Sequence, residues 1–391
     1  MNVTIESLNW RGEGVSGEKI FRHVLAGEVV DGSTGQVVKA SSERIDAFCK
    51  YYARCGGCQL QHWETGAYQT WKMNLITTAL AKCGIETNVS KIIDAHGIGR
   101  RRVSLHVRKT DGVVTAGFMA PRSHDLIDID QCPILTPALQ NAMDIARKLG
   151  GRLGDCDVAL TAVDNGLDVA VKVDRKIAEE QLPKLAGLVG ELKLLRLTVN
   201  GSLVATQGTP AIAMGKGLVQ LPAGSFLQAT KQGEETLSAL VLAALGKSKS
   251  VADLFCGIGP FALRIANHAK VLAVDTDKPA IAALSQAVRL TRGIKPLKTE
   301  VRDLMREPVV VSELKEFDAV VFDPPRAGAE AQAKQLAKSA VKTVVAVSCD
   351  PASFARDAEI LINGGYKLKS LTAVDQFKYT SHVETVGVFS R

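Results

Sequence analysis

The segment VADLFCGIGPFAL, residues 251–263, decides the fold. A short apolar run carries Asp253, and Gly257 and Gly259 follow in a turn that leads into a helical pattern. Glycines let the backbone approach a ligand closely, and the first N–H groups of the following helix are free to bind it. The segment therefore predicts a strand, a ligand-binding turn and a helix, which together form the first unit of an α/β sheet.

Further β-rich runs alternate with helical patterns after this turn, as expected for βα units and a mostly parallel sheet. The predicted strands are SVADLF (250–255), KVLAVD (270–275), LKTEV (297–301), FDAVVFD (317–323), TVVAVS (343–348), KLKSLTAV (367–374) and VETVGVF (383–389). The loop between the last two is too short for a crossover helix, which predicts an antiparallel closing hairpin. This seven-stranded pattern resembles the Rossmann-like sheet of class I S-adenosylmethionine-dependent methyltransferases.

Two acids and the glycines indicate which cofactor the turn binds. Gly257, Gly259 and Ala262 also fit the looser G-x-G-x-x-A pattern of dinucleotide-binding sites. Asp253 stands four residues before the first glycine, and Asp275 ends the second strand where it can accept bonds from the two hydroxyls of a ribose. These acids and the seven-strand layout favour S-adenosylmethionine over a dinucleotide.

The chain upstream of this sheet has a different character. Residues 1–44 contain short β-prone runs between glycine-rich turns, which predict a small barrel. Residues 45–215 contain short alternating runs such as RVSLHVRK and VTAGFM, which predict a central α+β domain. With residues 216–391 as the methyltransferase domain, the prediction is three domains in 391 residues.

Charge and hydropathy bear on partners and location. The formal net charge of +7 suits an anionic partner such as nucleic acid, although many basic proteins have none. No secretory signal pattern begins the chain, and no apolar run approaches the ~18 residues that a membrane span needs. We therefore expect a cytoplasmic protein without membrane contact, and nothing in the sequence indicates an obligate protein partner.

The segment FDPPRAG follows the fourth predicted strand and puts Asp323, Pro324, Pro325 and Arg326 at its carboxyl end. Ligands bind at this edge of open α/β sheets, so the segment should face the substrate. Enzymes that methylate exocyclic amines carry a similar segment with an aromatic residue after the prolines. Arg326 takes that position here, which disfavours amine methylation and indicates a different chemistry.

A cysteine follows the fifth strand in TVVAVSCDPASFARD, residues 343–357. Asp350 can cap the next helix and Pro351 can begin it, so Cys349 lies at a helix N-terminus, a location that favours the thiolate. A thiolate beside a methyl donor suits a pyrimidine, because its addition to C6 makes C5 nucleophilic. The methylated adduct must then lose its C5 proton to a base. Glu384, at the start of the seventh strand beside the fifth, is the predicted base.

Five segments, GSFLQAT, DLFCGIG, FDPPR, SCDPASFARD and HVETV, together resemble the RNA 5-methyluridine methyltransferase family, and the similarity covers nearly the whole chain. The resemblance implies that Cys349 is the nucleophile and Glu384 the base. It also implies that Gln228 and Asp323 lie near the cofactor and the target uracil, and that Asp323 is a catalytic residue. The residues implied along S-adenosylmethionine are Asp253, Gly257, Asp275 and, on its adenine side, Asp303.

Four cysteines outside this sheet form a second pattern. FCKYYARCGGCQLQHW contains Cys49, Cys55 and Cys58, and DIDQCPIL contains Cys132. Such a set can close a tetrahedral site for zinc or an iron–sulfur cluster, and spacing alone does not choose between them. The family branch with this arrangement, which acts on 23S rRNA, carries a [4Fe–4S] cluster, so the resemblance implies iron. The methyl transfer needs no redox step, which favours a structural or RNA-docking role. The cysteines at positions 83, 156 and 256 are predicted to be buried apolar residues.

RNA is the predicted substrate. IESLNWRGEGVS and IFRHVLAGEVV resemble a TRAM domain, an OB-like RNA-binding barrel. GRRRVSLHVRK offers phosphate contacts or a solvated basic face, through Arg100, Arg101, Arg102 and Arg108. We expect methylation of uracil C5, with large-subunit ribosomal RNA as the substrate. Two alternatives stay open: the same chemistry on tRNA, and a non-catalytic, metal-stabilised RNA-binding protein.

Overall fold

The computed structural model describes residues 1–391 and begins with a small β unit. Its strands are β1 (Asn2–Thr4), β2 (Ser7–Leu8), β3 (Gly14–Ser16), β4 (Lys19–Phe21), β5 (Val29–Asp31) and β6 (Val37–Lys39). They pair as two separate antiparallel sheets, β1-β5-β6 and β2-β3-β4. Ile5, Phe21, Val24 and Val30 form the small core beneath them. The predicted TRAM-like barrel is therefore not confirmed, because strands of two or three residues form two sheets and no continuous wall.

The next two elements are α1 (Thr65–Lys82) and β7 (Lys91–Asp94), which leave this unit and pack against the C-terminal part of the chain. A central unit follows with one antiparallel-rich sheet. Its elements are β8 (Arg102–Thr110), β9 (Val113–Met119), β10 (Leu126–Asp128), α2 (Ala142–Leu153), β11 (Cys156–Val163), β12 (Gly166–Lys172), α3 (Leu182–Glu191), β13 (Arg196–Val199) and β14 (Ser202–Thr206), with short 3-10 helices at Pro137–Leu139 and Glu179–Gln181. The sheet order is β10-β9-β8-β11-β12-β13-β14.

The C-terminal part alternates strands and helices. Its elements are β15 (Ala211–Met214), β16 (Gly217–Gln220), α4 (Lys231–Leu245), β17 (Ser250–Leu254), α5 (Ala262–Ile265), β18 (Lys270–Asp275), α6 (Lys278–Leu290), β19 (Leu297–Val301), α7 (Val311–Leu314), β20 (Ala319–Phe322), α8 (Glu330–Ala337), β21 (Thr343–Ser348), α9 (Pro351–Asn363), β22 (Lys367–Asp375) and β23 (Glu384–Ser390). None of the helices in the structure has both the length and the apolar character needed to cross a membrane.

The large sheet has the order β19-β18-β17-β20-β21-β23-β22-β7. All seven strands predicted from the sequence are present. Strand β23 runs antiparallel to both of its neighbours, which confirms the predicted antiparallel closing hairpin. The central strands are buried on both faces, which explains their continuous Val, Ala and Phe runs. Helices α4 and α6 cover one face and α1, α8 and α9 the other, so the carboxyl edge of the sheet is left open.

Strand β7 is an eighth strand that the sequence did not indicate. It pairs in parallel with β22, from Thr372 opposite Lys91 to Asp375 opposite Asp94. Helix α1 precedes it and inserts Ile76 into the core shared with α8 and α9. Part of the segment assigned to the central domain therefore completes the large sheet, while the division of the chain at 215/216 stays a prediction.

A buried ion pair fixes α1 to the end of β22. Lys72 Nζ lies 2.5 Å from Asp375 Oδ1, and both side chains are almost wholly inaccessible. The hydroxyl of Tyr68 donates to Asp375 Oδ2 at 2.7 Å and accepts from the backbone N–H of Tyr379 at 3.0 Å. Lys72 Nζ also donates to the Phe377 carbonyl at 3.3 Å. These bonds attach α1 to residues 375–379, where β22 ends and the next loop begins. That loop, residues 376–383, joins β22 to β23.

Candidate active site

Strand register brings the predicted nucleophile and base to the same edge of the sheet. In the β21–β23 pair Ser348 lies opposite Thr385, so the residues one step beyond, Cys349 and Glu384, are level with each other. Asp323 follows β20, the other neighbour of β21. The carboxyl ends of parallel strands meet at this edge, which is where open α/β sheets bind ligands.

The two carboxyl groups at this edge share a nearly dry environment. Glu384 is 3% exposed, and one of its oxygens, Oε2, has no hydrogen-bond partner. Burial, with the charge of Asp323 second, raises the pKa of Glu384 to about 8. Burial likewise raises the pKa of Asp323 to about 7, although the amide of Gln228 donates to it. Carboxyl groups with pKa values near neutrality can take up and release protons at physiological pH, as general catalysis requires.

The prediction that the helix N-terminus leaves Cys349 as a thiolate is wrong for the free protein. The helix itself forms as predicted, since Asp350 Oδ1 accepts from the Ser353 N–H at 2.8 Å and Pro351 is its first residue. Burial, followed by the charges of Glu384 and Asp323, nevertheless raises the pKa of Cys349 to about 12. Desolvation and two nearby carboxylates disfavour a second anion more than one helix terminus favours it.

A buried glutamine that the sequence did not single out links these groups. Gln376 Nε2 donates to Glu384 Oε1 at 3.0 Å and to Gln228 Oε1 at 2.6 Å. Gln228 Nε2 in turn donates to Asp323 Oδ2 at 3.0 Å. The chain of bonds fixes one oxygen of Glu384, so the free oxygen is the one available to a substrate. Only the bend of the loop after β22 brings Gln376 here, and no local pattern in the sequence signals it.

Arg326 is a second functional residue that the sequence reading did not assign. Its guanidinium is exposed. Its positive charge favours the anionic forms of Cys349 and Glu384, and so offsets part of the rise in the pKa of each. Its position after Asp323 and two prolines, at the carboxyl edge of the sheet, was the available signal for this role. The site therefore combines a thiol, two carboxyl groups and one exposed cation.

The glycine turn has the geometry that a nucleotide-like cofactor needs. Gly257 has φ of +53° and Gly259 has φ of +87°, and both lie in the left-handed region that favours glycine. A Cβ atom on Gly259 would lie 2.5 Å from Leu284 Cδ1, whereas one on Gly257 would meet nothing within 4 Å. Gly257 therefore leaves open space for a ligand, and Gly259 allows the turn to pack closely on α6.

The acids predicted along the cofactor occupy three different environments. Asp275 Oδ2 accepts from the Gly257 N–H at 2.8 Å and Oδ1 from the Asp277 N–H at 2.8 Å, so backbone bonds orient its carboxylate. Asp253 is fully buried beneath the turn, neither of its oxygens accepts a hydrogen bond, and burial raises its pKa well above the usual range. Asp303 follows β19 and accepts from the Met305 N–H at 3.0 Å. The oriented carboxylate of Asp275 and the open turn at Gly257 fit a cofactor that carries hydroxyl donors.

The four cysteines predicted as metal ligands line one cavity of about 370 Å³. All four, Cys49, Cys55, Cys58 and Cys132, are half-buried free thiols. Burial raises the pKa of Cys58 to about 11 and of Cys132 to about 12. No three histidine, cysteine or carboxylate side chains are arranged so that they could hold a metal ion, so the predicted cluster is not confirmed. A set of thiols facing one cavity does have the donor chemistry that iron and zinc prefer.

Two of the remaining cysteines, Cys156 and Cys256, are buried as predicted, and Cys83 is partly buried. Of the four arginines in the basic run, Arg101 is wrong as a phosphate contact, whereas Arg100, Arg102 and Arg108 are half-buried and their role stays a prediction. Arg101 is buried, pairs with Glu234 at 2.7 Å and donates to the Gln228 carbonyl at 3.0 Å. Its hydrogen bond to Gln228 supports the active site, and its buried guanidinium is not accessible to RNA.

Comparison with known proteins identifies relatives across the whole chain. Residues 211–391 match the family model described as tRNA (uracil-5-)-methyltransferase. An uncharacterized RNA methyltransferase of Brucella suis is 42% identical, with the alignment covering 100% of this chain and 97% of the relative. The 23S rRNA (uracil(1939)-C(5))-methyltransferase RlmD of Shewanella sediminis is 29% identical over 89% of this chain and 83% of its own.

Among solved structures, the tRNA (uracil-54, C5)-methyltransferase of Pyrococcus abyssi, in complex with S-adenosyl-L-homocysteine, superposes with a TM-score of 0.77. The match covers 100% of this chain and 99% of that one at 22% identity. At this identity the likeness establishes the fold, which is the class I methyltransferase fold with its N-terminal additions.

Proposed function

Because the chain belongs to the RNA (uracil-5-)-methyltransferase family and is an S-adenosylmethionine-dependent RNA methyltransferase, we propose that it methylates uracil C5. In this proposal Cys349 is the nucleophile and Glu384 the general base. The observation that carries the proposal is the register of β21 and β23, which makes a half-buried thiol and a buried carboxyl group level at one edge of the sheet.

The first chemical step belongs to Cys349. Its raised pKa means that the thiol holds its proton in the free protein, so the proton must leave as the nucleophile attacks. The Asp323 carboxylate takes this proton, so Glu384 stays free to accept the C5 proton later, and Arg326 favours the resulting Cys349 thiolate. The sulfur then forms a bond to C6 of uracil, and the electron pair of the C5–C6 double bond moves towards the C4 carbonyl.

When bound, S-adenosylmethionine supplies an electrophilic methyl group, which C5 accepts. Glu384 then removes the C5 proton through its free Oε2. The C5–C6 double bond re-forms, the bond between C6 and sulfur breaks, and Cys349 regains its anionic form. A pKa near neutrality suits a base that must be regenerated in every turnover. Because C5 and C6 are covered in a stacked base, the uridine must be flipped out of any helix.

The cofactor would be held by the glycine turn and by Asp275. The open space at Gly257 admits the cofactor, and the fixed carboxylate of Asp275 can accept bonds from ribose hydroxyls. We assign Asp303 to the adenine side and Gln228 to the boundary between cofactor and uracil. Asp253 would act from beneath the turn, because its buried carboxyl group reaches no open surface.

We propose large-subunit ribosomal RNA as the substrate. The resemblance to the branch with four cysteines supports this choice, as does the Shewanella relative, whose name specifies 23S rRNA. The Pyrococcus enzyme that shares the fold acts on tRNA, so tRNA is the second candidate.

The test offers unmodified transcripts of 23S ribosomal RNA and of tRNA separately, with methyl-labelled S-adenosylmethionine. Digestion to nucleosides and mass spectrometry should detect 5-methyluridine in ribosomal RNA. Label in 5-methyluridine from tRNA alone would reverse the substrate assignment. Label in any other nucleoside would contradict the chemistry, and RNA binding without label would support a binding-only protein.

We also propose that Cys49, Cys55, Cys58 and Cys132 hold a [4Fe–4S] cluster, supported by the single cavity that they line. Anaerobically purified protein should contain iron and acid-labile sulfide, and the double variant C55S/C58S should contain neither. A matched control is C83S, since Cys83 lies outside that cavity. Zinc in place of iron, or no metal in the wild type, would contradict the assignment.

A further inference from the structure

A second cavity, of about 340 Å³, lies between the N-terminal β unit and the 376–383 loop. Its walls also include residues of the cysteine segment and of the turn between β9 and β10. We call it the arginine cleft and define it by six of the side chains that line it: Trp10, Arg11, Arg22, Arg122, Arg326 and His382.

The charges in the arginine cleft are not balanced. Glu13 is its one carboxylate, and both of its oxygens already accept from Arg122 Nη2, at 2.6 and 2.8 Å. Arg11 lies over the Trp10 ring at 4.7 Å, and Arg326 Nη2 contacts His382 Nε2 at 3.2 Å. Arg22 is half-buried and forms no ion pair. Arg11 and Arg326 are exposed, so three guanidinium groups without an ion-pair partner converge on one open cleft, and their summed positive field favours an anionic ligand.

An exposed aromatic ring lies at the mouth of the same cleft. Trp10 is 64% exposed and stands in the turn between β2 and β3. No core contact accounts for an indole at this position. Aromatic rings combined with cationic grooves are the usual means of holding single-stranded nucleic acid, because every base can stack and every phosphate can pair. An acidic peptide would match the arginines but would leave the indole without a role.

The cleft adjoins the candidate active site through Arg326 and His382, which line it. Arg326 stands three residues after Asp323 and acts electrostatically on Cys349 and Glu384. His382 stands two residues before Glu384. A chain that enters the cleft therefore passes the same loops that hold the reacting groups.

We propose that the arginine cleft binds the RNA strand next to the target uridine, with Arg11, Arg22 and Arg326 on its phosphates and Trp10 stacked on one unpaired base. This inference rests on the proposed function and deepens it. The N-terminal β unit is then part of the substrate site, and the strand must be unpaired over the nucleotides that flank the target.

The test compares R11A/R22A with the wild type in RNA affinity across a salt series and in steady-state methylation. The variant should bind RNA about 10–100-fold more weakly, as expected for lost bonds to charged groups. The slope of log affinity against log salt should fall by about 0.7 for each single-strand phosphate contact removed. The loss should appear chiefly as a raised KM for RNA, because the variant removes RNA contacts and leaves the reacting groups in place. The control R292A removes an exposed arginine far from the cleft and should bind as the wild type does.

Trp10 gives an independent readout. RNA should protect its fluorescence from acrylamide, and W10A should lose the protected component, since Trp63 is buried and Trp71 half-buried. Retained affinity for S-adenosylhomocysteine shows that each variant is folded. The proposal would be overturned if R11A/R22A kept the wild-type RNA affinity and salt slope and if RNA did not protect Trp10 in the wild type. An acidic protein segment would then be the next ligand to test. Failure of the wild type to methylate any RNA would count against the proposed function instead, because binding and fluorescence need no chemistry.

Discussion

At the scale of single residues, the site depends on how protons are distributed among one buried and two half-buried groups. Cys349, Asp323 and Glu384 all have raised pKa values, chiefly because burial disfavours their charged forms. The sequence placed these residues at one edge of the sheet, since each follows or begins a strand with a recognisable pattern. It could not provide their protonation states, because those depend on burial in the assembled fold and on the charges that the fold brings together.

The buried carboxyl group of Glu384 should make stability depend on pH. Its pKa is raised to about 8 from 4.5, so between these values the folded state binds more protons than the unfolded state. Stability therefore falls as pH rises through this window, by up to roughly 1.4 kcal/mol per pH unit for one proton. We expect E384Q to be more stable than the wild type at pH 8 and similar to it near pH 5.

Urea unfolding at both pH values measures this difference. The variant S381A, in the neighbouring loop, is the control and should keep the wild-type pH dependence. Equal free energies of unfolding for E384Q and the wild type at pH 8 would show that the folded protein does not penalise the Glu384 carboxylate.

Gln376 should act as a positioning residue for the base. Q376L removes the bonds to Glu384 Oε1 and to Gln228 Oε1, and the loss of a bond to the carboxylate form of the base costs about 1.5–3 kcal/mol. We expect turnover to fall roughly 10–100-fold, which is a larger effect than any change in RNA affinity. Proton removal is the slowed step, so covalent protein–RNA adduct should accumulate during turnover.

The control for Q376L is T385V, which removes a buried hydroxyl beside Glu384 that has no hydrogen-bond partner. T385V should keep the wild-type turnover. Normal turnover in Q376L, or a loss confined to RNA affinity, would argue that Glu384 is oriented by something other than Gln376.

At the scale of elements, the sheet is the part of the fold that sequence reasoning predicts best. Its strands are continuous apolar runs whose ends are marked by glycine, aspartate or proline, so even the antiparallel closing hairpin could be predicted. Strand β7 and the attachment of α1 could not, because Asp94 and Asp375 are 281 residues apart and their pairing leaves no local pattern. The N-terminal strands are too short for their pairing to follow from alternation alone.

The ion pair between α1 and β22 should be a large contributor to stability. K72M leaves Asp375 with Tyr68 as its remaining side-chain partner in a buried position. Breaking a buried pair from one side costs about 3–5 kcal/mol, and we expect that loss in the free energy of unfolding measured with urea. The double variant K72M/D375N should recover part of it, because no charge then stays unpaired. A loss below about 1 kcal/mol in K72M would contradict the assigned role.

At the scale of the whole molecule, three parts of the N-terminal half contact the 376–383 loop beside the candidate active site. Helix α1 binds the start of the 376–383 loop, and the arginine cleft adjoins its end. The cysteine segment supplies the third contact, since the N–H groups of Gln59 and Leu60 both donate to the Tyr379 carbonyl, at 2.8 and 3.1 Å. Motifs predicted the catalytic half, whereas these connections depend on three-dimensional contacts that no motif encodes.

The central claim is that Cys349 bonds to uracil C6 and Glu384 releases the product. E384Q allows addition and methylation but cannot remove the C5 proton, so RNA should stay attached to Cys349. Purified E384Q is incubated with S-adenosylmethionine and labelled RNA and run on a denaturing gel, with C349A/E384Q as the control. We expect a retarded protein–RNA band in E384Q that is absent from the control. No such band from a folded E384Q that binds cofactor and turns over like the wild type would contradict it.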